Sequence, residues 1–408
     1  MHDNKKIGER IAMLRKERGM TGEKFAELLN VSPQAVSKWE TGKNLPETIL
    51  LPDISRILGV SIDSILIPKT YPVKLYLGGH YIDGLSPLGY GQLCNCSWAG
   101  SIKLLLDAIG VKVSYSEIMG FSGACYFFAM KSNWCPSANM LQIAYNPNVA
   151  LKQAVGVERA FFTLENRDSK VKESISHGKP VMLIQPRVEM EWGVLCGYTE
   201  DGRLYGRSYF DHLKPDEKDI FTNNNYFLAD SYPGADPSLI YFLQGRTDPI
   251  SLCEALKKSL EIAQWLYTAE NEYIVLGLSA YDVMNDGLRH DDAGFAALTQ
   301  YGATENTIYH LARLIDNRRA ANIFWSEKSQ YLSASNAKKM TDVAGLYGDI
   351  LSTLDAVLPN DIINSTLNGY PFETWSSEKR NQIADALLIC KQLEKQAVDI
   401  ISDVLNHW

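Results

Sequence analysis

The chain has 408 residues, of which 46% are hydrophobic and 22% charged, with a formal net charge of −8. That length exceeds what one core organises and predicts two or three domains of ordinary globular composition. No apolar run is long enough to span a bilayer, and the charged start leads into a polar helix instead of a signal peptide, so a cytoplasmic protein without a membrane partner is expected.

Seven cysteines, Cys94, Cys96, Cys125, Cys135, Cys196, Cys253 and Cys390, are scattered along the chain. An odd, dispersed set is not a disulfide framework. No paired Cys-x-x-Cys units occur and the seven histidines lie far apart, which argues against a structural zinc. With no glycine-rich phosphate loop and no Glu-x-x-His pair, no metal or cofactor is expected. Charge is uneven. Residues 1–67 carry ten Lys/Arg against nine Asp/Glu, a net of +1, and the remainder thirty against thirty-nine, a net of −9. Any nucleic-acid contact therefore belongs to the N-terminal segment. With so small a charge, one copy should bind weakly, and a homodimer reading two half-sites is expected.

In chain order, Ile7, Ile11 and Leu14 share one face of a first helix ending near Gly19, with Arg10, Arg15, Lys16 and Arg18 expected to face out. The stretch Thr21–Pro46 then predicts two short helices joined by a tight turn. Phe25, Ala26, Leu28 and Leu29 give the first an apolar face, Asn30-Val31 breaks it, and Ser32-Pro33 supplies an N-cap followed by proline at the first helical position. The second helix buries Val36 and Trp39 and presents Gln34, Ala35, Ser37 and Lys38 outward, the short polar set a helix needs in a major groove. Thr48–Leu58 reads as another helix, buried through Leu51, Ile54, Ile57 and Leu58, and Ser61 caps a last short one with Ile62 and Ile65.

This stretch resembles the helix-turn-helix of the Cro/lambda-repressor type, the XRE family, from about Ile7 to Leu66. The matching positions are Thr21, Ala26, Val31, Ser32, Val36, Ser37, Trp39, Glu40, Gly42 and Pro46. The resemblance implies double-stranded DNA as partner, with Thr21, Gln34, Ala35, Ser37, Lys38, Lys43 and Asn44 as contacting residues. The family usually has glutamine after the opening threonine, where it braces a phosphate; this chain has Gly22.

Pro68 and Pro72 bracket a connector, and from Val73 the texture becomes mixed helix and strand. Cys94-Asn95-Cys96-Ser97-Trp98 precedes a helix buried through Ile102, Leu105, Leu106 and Ile109 and stopped by Gly110. Val181–Gln185, Trp192–Tyr198, Leu204–Phe210 and Leu239–Leu243 read as strands, with Asp201-Gly202 as a hairpin turn. A Cys leading a helix, then Gly120-Phe121-Ser122-Gly123, Trp134-Cys135-Pro136, Trp192-Gly193-Val194 and Tyr209-Phe210-Asp211, resembles papain-like domains, specifically bacteriocin-processing peptidases and butirosin-type acyltransferases, over about residues 75–245. The resemblance implies Cys96 as nucleophile and Asp211 as the residue orienting a histidine. Where that histidine belongs, this chain reads Glu191-Trp192, and neither His177 nor His212 matches the motif. A glutamate there opposes thiolate formation. The cleft is then expected to bind a small molecule without turning it over, lined by Cys96, Trp98, Trp134 and Trp192.

From Pro249 the pattern is helical: Ile250–Asn271, a long helix capped by Asn306, Ala334–Leu358 and Ser377–His407. Their stripes read as bundle core, His310 as a packed histidine and Arg318-Arg319 as a solvated or salt-bridged face. The expected architecture is multidomain: an all-α DNA-binding domain (1–67), an α+β papain-like, non-catalytic domain (73–248) and a helical region (249–408). The expected function is a transcriptional regulator whose C-terminal part senses a small molecule or dimerises. The alternatives are a cysteine acyltransferase or hydrolase with an autoregulatory DNA-binding domain, and a protein–protein module.

Overall fold

The computed structural model describes residues 4–18, 20–58, 62–66, 71–90, 94–139, 141–161, 165–184, 191–209, 226–229, 241–299, 302–358 and 374–408. Apolar residues three and four apart build the N-terminal head from α1 (Asn4–Glu17), α2 (Gly22–Leu28), α3 (Pro33–Glu40), α4 (Leu51–Leu58) and α5 (Ile62–Leu66). The predicted helix over Thr48–Leu58 is in fact a 3₁₀ turn, Thr48–Leu50, followed by α4. The head has its own core, including Ile11, Leu14, Phe25, Val36, Trp39, Ile54 and Ile65.

The expectation that four basic residues in and just after α1 face out fails for three of them. Lys16 is exposed, but Arg10 and Arg15 are 6% and 8% exposed and the Arg18 side chain 5%. Each guanidinium has found a carbonyl or carboxylate, the condition for burying such a charge.

The following region alternates β1 (Val73–Tyr76), β2 (Gly79–Ile82), α6 (Ser97–Ala108), α7 (Tyr115–Ser122), β3 (Ala129–Met130), α8 (Leu141–Ala144), α9 (Pro147–Val155), β4 (Val157–Phe161), α10 (Arg167–Ser176), β5 (Val181–Ile184), β6 (Trp192–Tyr198), β7 (Leu204–Arg207), β8 (Phe227–Ala229) and β9 (Tyr241–Arg246). Eight of these strands form one sheet in the order β1-β2-β6-β5-β9-β4, with β7 also pairing β6, and β8 pairing β7. Every pairing is antiparallel. The Asp201-Gly202 turn joins β6 to β7, with Gly202 at φ +92. Gln185, Phe210, Asp211, His212 and Leu239 lie outside the described residues.

The rest is helical: α11 (Leu252–Thr268), the short β10 (Val275–Leu276) pairing β3, α12 (Leu278–Leu288), α13 (Asp292–Ala296), α14 (Ala303–Lys328), α15 (Ala334–Val357) and α16 (Ser377–Asn406). Asn306 does not cap α14. The helix begins at Ala303, and the Asn306 amide donates to Thr299 Oγ1 at 2.9 Å. The sheet region and the helices share one hydrophobic core running from Tyr81 to Val404. Of the two expectations for Arg318 the salt-bridged one holds and the solvated one does not: it pairs with Glu394 of α16 at 2.7 Å, and both side chains are fully buried.

Candidate functional site

The α2–turn–α3 unit is built by its caps. Thr21 Oγ1 accepts from the Lys24 N–H at 3.1 Å and Ser32 Oγ from the Ala35 N–H at 3.2 Å, each satisfying an orphan donor of a helix start. Asn30, at φ +53, makes the turn between them. Gly42, at φ +71, ends the unit, and a Cβ there would lie 2.5 Å from Lys5 Cα, so only glycine fits. Arg15 fastens α3 to α1 through a two-pronged pair with Glu40 at 2.5 and 2.9 Å and also donates to the Met20 carbonyl at 2.6 Å. Sequence reasoning missed this residue, although Arg15 follows the stripe residue Leu14 directly.

With Val36 and Trp39 buried, α3 presents Gln34, Ser37 and Lys38 as exposed side chains and Ala35 as half-buried. Thr21, Lys43 and Asn44 are exposed on the same unit. A Cβ on Gly22 would meet nothing within 4 Å, so the missing glutamine is not excluded by packing.

The second site surrounds Cys96, the N-cap of α6 and 2% exposed. Gly100, one turn on, leaves room for Tyr209, whose hydroxyl would otherwise lie 1.9 Å from its Cβ. That hydroxyl donates to the Cys94 carbonyl at 2.8 Å. The Cys96 N–H donates to the Tyr115 hydroxyl at 2.9 Å, and Tyr115 donates to Asp316 Oδ2 at 2.6 Å. The charged groups acting on the thiol are Arg313 and Asp316 of α14, where cysteine catalysis asks for a histidine. Burial pushes the Cys96 thiol up, against the opposing pull of Arg313 and the Ala99 N–H, and Asp316 adds to the rise. Cys94 beside it is pushed up to about 12, chiefly by burial.

Other expected members fall elsewhere. Glu191 accepts from Ser97 Oγ, one residue past Cys96, so it braces the helix start and is not a principal cause of the raised thiol. Trp192 donates its N–H to the same Ser97 Oγ at 3.3 Å, and Trp98 donates Nε1–H to Asn148 at 3.2 Å. Trp134, at φ +52, packs edge-on to Phe295. Trp98, Trp134 and Trp192 are buried core residues, at 2%, 1% and 4% exposure. His177 is exposed at the end of α10, with Nδ1 on the Glu173 carbonyl. His310 is buried against the Trp134 carbonyl, its pKa lowered to about 4 by desolvation. Asp211 lies outside the described residues.

Residues 11–65 match the helix-turn-helix family HTH_3. Over 60 residues the chain is 42% identical to the HTH-type transcriptional activator BcrR of Enterococcus faecalis, covering 15% of this chain and 29% of that protein. It is 37% identical over 60 residues to the SPbeta prophage-derived uncharacterized HTH-type transcriptional regulator YonR of Bacillus subtilis (strain 168), covering 56% of it. It is also 34% identical over 62 residues to the uncharacterized HTH-type transcriptional regulator YazB of the same organism, covering 90% of that protein. The chain belongs to the helix-turn-helix family of transcriptional regulators.

The matched part is the head alone, and the chain spans about a third of BcrR and just over half of YonR. Among the described residues of this regulator, no helix is long and apolar enough to cross a membrane, and no group of three or more His, Cys, Asp or Glu could hold a metal.

The raised thiol gives a direct prediction. The nucleophile is thiolate, whose fraction falls tenfold per pH unit below the pKa. Cys96 is expected to alkylate slowly with iodoacetamide at pH 7 and to gain rate only above the ordinary thiol value of about 8.5, with the exposed Cys253 as reference. Mass spectrometry of the modified peptides reads both rates. Stoichiometric Cys96 labelling at pH 6 would show a depressed pKa and bring cysteine catalysis back.

Proposed function

We propose that this chain is a sequence-specific regulator that binds double-stranded DNA as a homodimer and whose residues 73–408 sense a small molecule. The head spans 1–67; residues 73–248 form a papain-like, non-catalytic α+β unit, and 249–408 the helical part. The observation that carries the reading is the Cys96 environment: a buried thiol with a raised pKa faces Arg313 and Asp316, on a chain whose helix α3 leaves Gln34, Ser37 and Lys38 exposed. A helix-start cysteine packed on an antiparallel sheet supports the papain-like part. The dimer rests on charge, because a head of net +1 gains little from one set of phosphates.

On α3, Gln34 and Lys38 lie one turn apart, both exposed. A bidentate amide at Gln34 reading a base edge accounts for about 1–3 kcal/mol of discrimination. Gln34→Ala is expected to cost that much on a selected site and to relax base choice at one position per half-site. Lys43→Ala, at a phosphate, should weaken all sequences alike and reduce the salt slope by about one unit per contact. Titrations against selected and random duplexes at several salt concentrations test both. Equal loss on the two duplexes for Gln34→Ala would remove the base-reading role.

A further inference from the structure

Helix α6 joins the Cys96 cluster to the DNA-binding head. Its N-cap N–H is held by Tyr115 and, through it, by Asp316. Its C-cap residue, Ile109, turns its carbonyl to Arg10 of α1, which donates from Nη2 at 2.8 Å. Carbonyls at a helix C-terminus have no intrahelical partner and sit at the negative end of the helix dipole, so a guanidinium is the group that suits them. The helix between these ends is about 18 Å long at 1.5 Å per residue. A second clasp lies beside it: Arg18 donates to the Thr247 carbonyl at 3.2 Å and to Asp248 at 2.5 Å.

The N-terminal end has unused bonding capacity. Arg313 engages the Cys96 side chain, and Asp316 the Asn95 backbone and the Tyr115 hydroxyl, but the buried atoms Arg313 Nη1 and Asp316 Oδ1 make no hydrogen bond among the described residues. Arg313 and Asp316 approach each other at 4.0 Å, and the Asp316 side chain is 1% exposed. The cluster meets the surface at Arg313, 13% exposed, and at half-buried Cys94. Because the two charges already balance, a ligand bringing net charge would leave it uncompensated in a buried place. A neutral group offering an acceptor and a donor side by side, as a carboxamide does, meets both orphan atoms.

We propose that the Arg313–Asp316 pair beside Cys96 is the effector site, that it takes a small molecule bearing a carboxamide, and that α6 carries its occupancy to the head through Arg10. This rests on the sensor reading above. The probe is iodoacetamide, used at high pH on the full-length chain carrying Cys94→Ser, Cys135→Ser and Cys253→Ser. The Cys96 sulfur displaces iodide and releases its proton to the buffer, leaving a carboxamide next to Arg313. Affinity is then measured for a duplex selected by the unmodified chain.

The adduct is expected to change that affinity at least about fivefold, the lower range of allosteric coupling, and to change it less than about twofold when Arg10→Met removes the grip on Ile109. An equal change in both backgrounds would leave the sensor reading standing and overturn the α6 route. A complete adduct with unchanged affinity in both would overturn the effector site itself. If the adduct unfolds the chain, Asp316→Asn makes the same test without added bulk, because it turns an acceptor towards Arg313 into a donor. An affinity change there that ignores Arg10 would likewise overturn the route, and no change at all would overturn the site.

Discussion

Replacing Glu394 by alanine is expected to destabilise the chain by about 3–5 kcal/mol, the cost of leaving a buried charge without its partner. Glu394 and Arg318 are both fully buried, paired at 2.7 Å. Glu394 also accepts from the hydroxyls of Tyr267 and, at 2.9 Å, Tyr281. Arg318 donates to the Cys125 carbonyl at 2.9 Å and lies over the Tyr347 ring, so the pair gathers α11, α12, α14, α15, α16 and the turn before β3. Without Glu394 the guanidinium keeps one carbonyl, and two tyrosine hydroxyls lose their acceptor. The double variant Arg318→Met, Glu394→Leu removes both charges together, and apolar replacements of similar size often prove neutral or better. Chemical denaturation of the two variants makes the comparison. A single variant losing less than about 1 kcal/mol would mean that water enters the site readily.

Trp39→Ala is expected to remove about 3–5 kcal/mol from the head, through lost burial and the cavity left behind. Trp39 is 6% exposed on the inner face of α3, and its carbonyl lies 2.0 Å from where a Cβ on Gly8 would stand, so α1 and α3 are in close contact there. A domain this small has roughly 5 kcal/mol of total stability to lose. Hydrogen exchange over residues 4–66 of the full-length chain should therefore collapse to nearly unprotected rates while α14–α16 stay protected. Unchanged protection in the head would show that α3 is held by something other than this indole.

The head was legible because its signals are local. Caps, a proline at the first helical position and an apolar stripe lie within a few residues of what they determine. The buried arginines were harder to see, although spacing held a hint. Arg10 continues the stripe of Ile7 and Leu14, and Arg318 that of Ile308, Leu311 and Ile315, at three- and four-residue steps. A charged residue on an apolar stripe marks a buried pair, but the partner is distant in sequence: Ile109 for Arg10 and Glu394 for Arg318. For the same reason the Cys96 environment could not be read ahead. Arg313 lies more than two hundred residues away, and nothing local announces that α14 returns to the start of α6.

The two cores carry a consequence for inheritance. The head keeps its hydrophobic interior to itself, whereas the described buried apolar residues between Tyr81 and Val404 share another. Among the described residues, exchange of the first unit breaks the Arg10 and Arg18 clasps, but a crossover near residue 249 would cut through a common interior and leave both products with exposed apolar faces. The head can thus be inherited separately from the body, and the likenesses reported above span about sixty residues, the length of the head, while the shared interior ties the described parts of the remaining chain together.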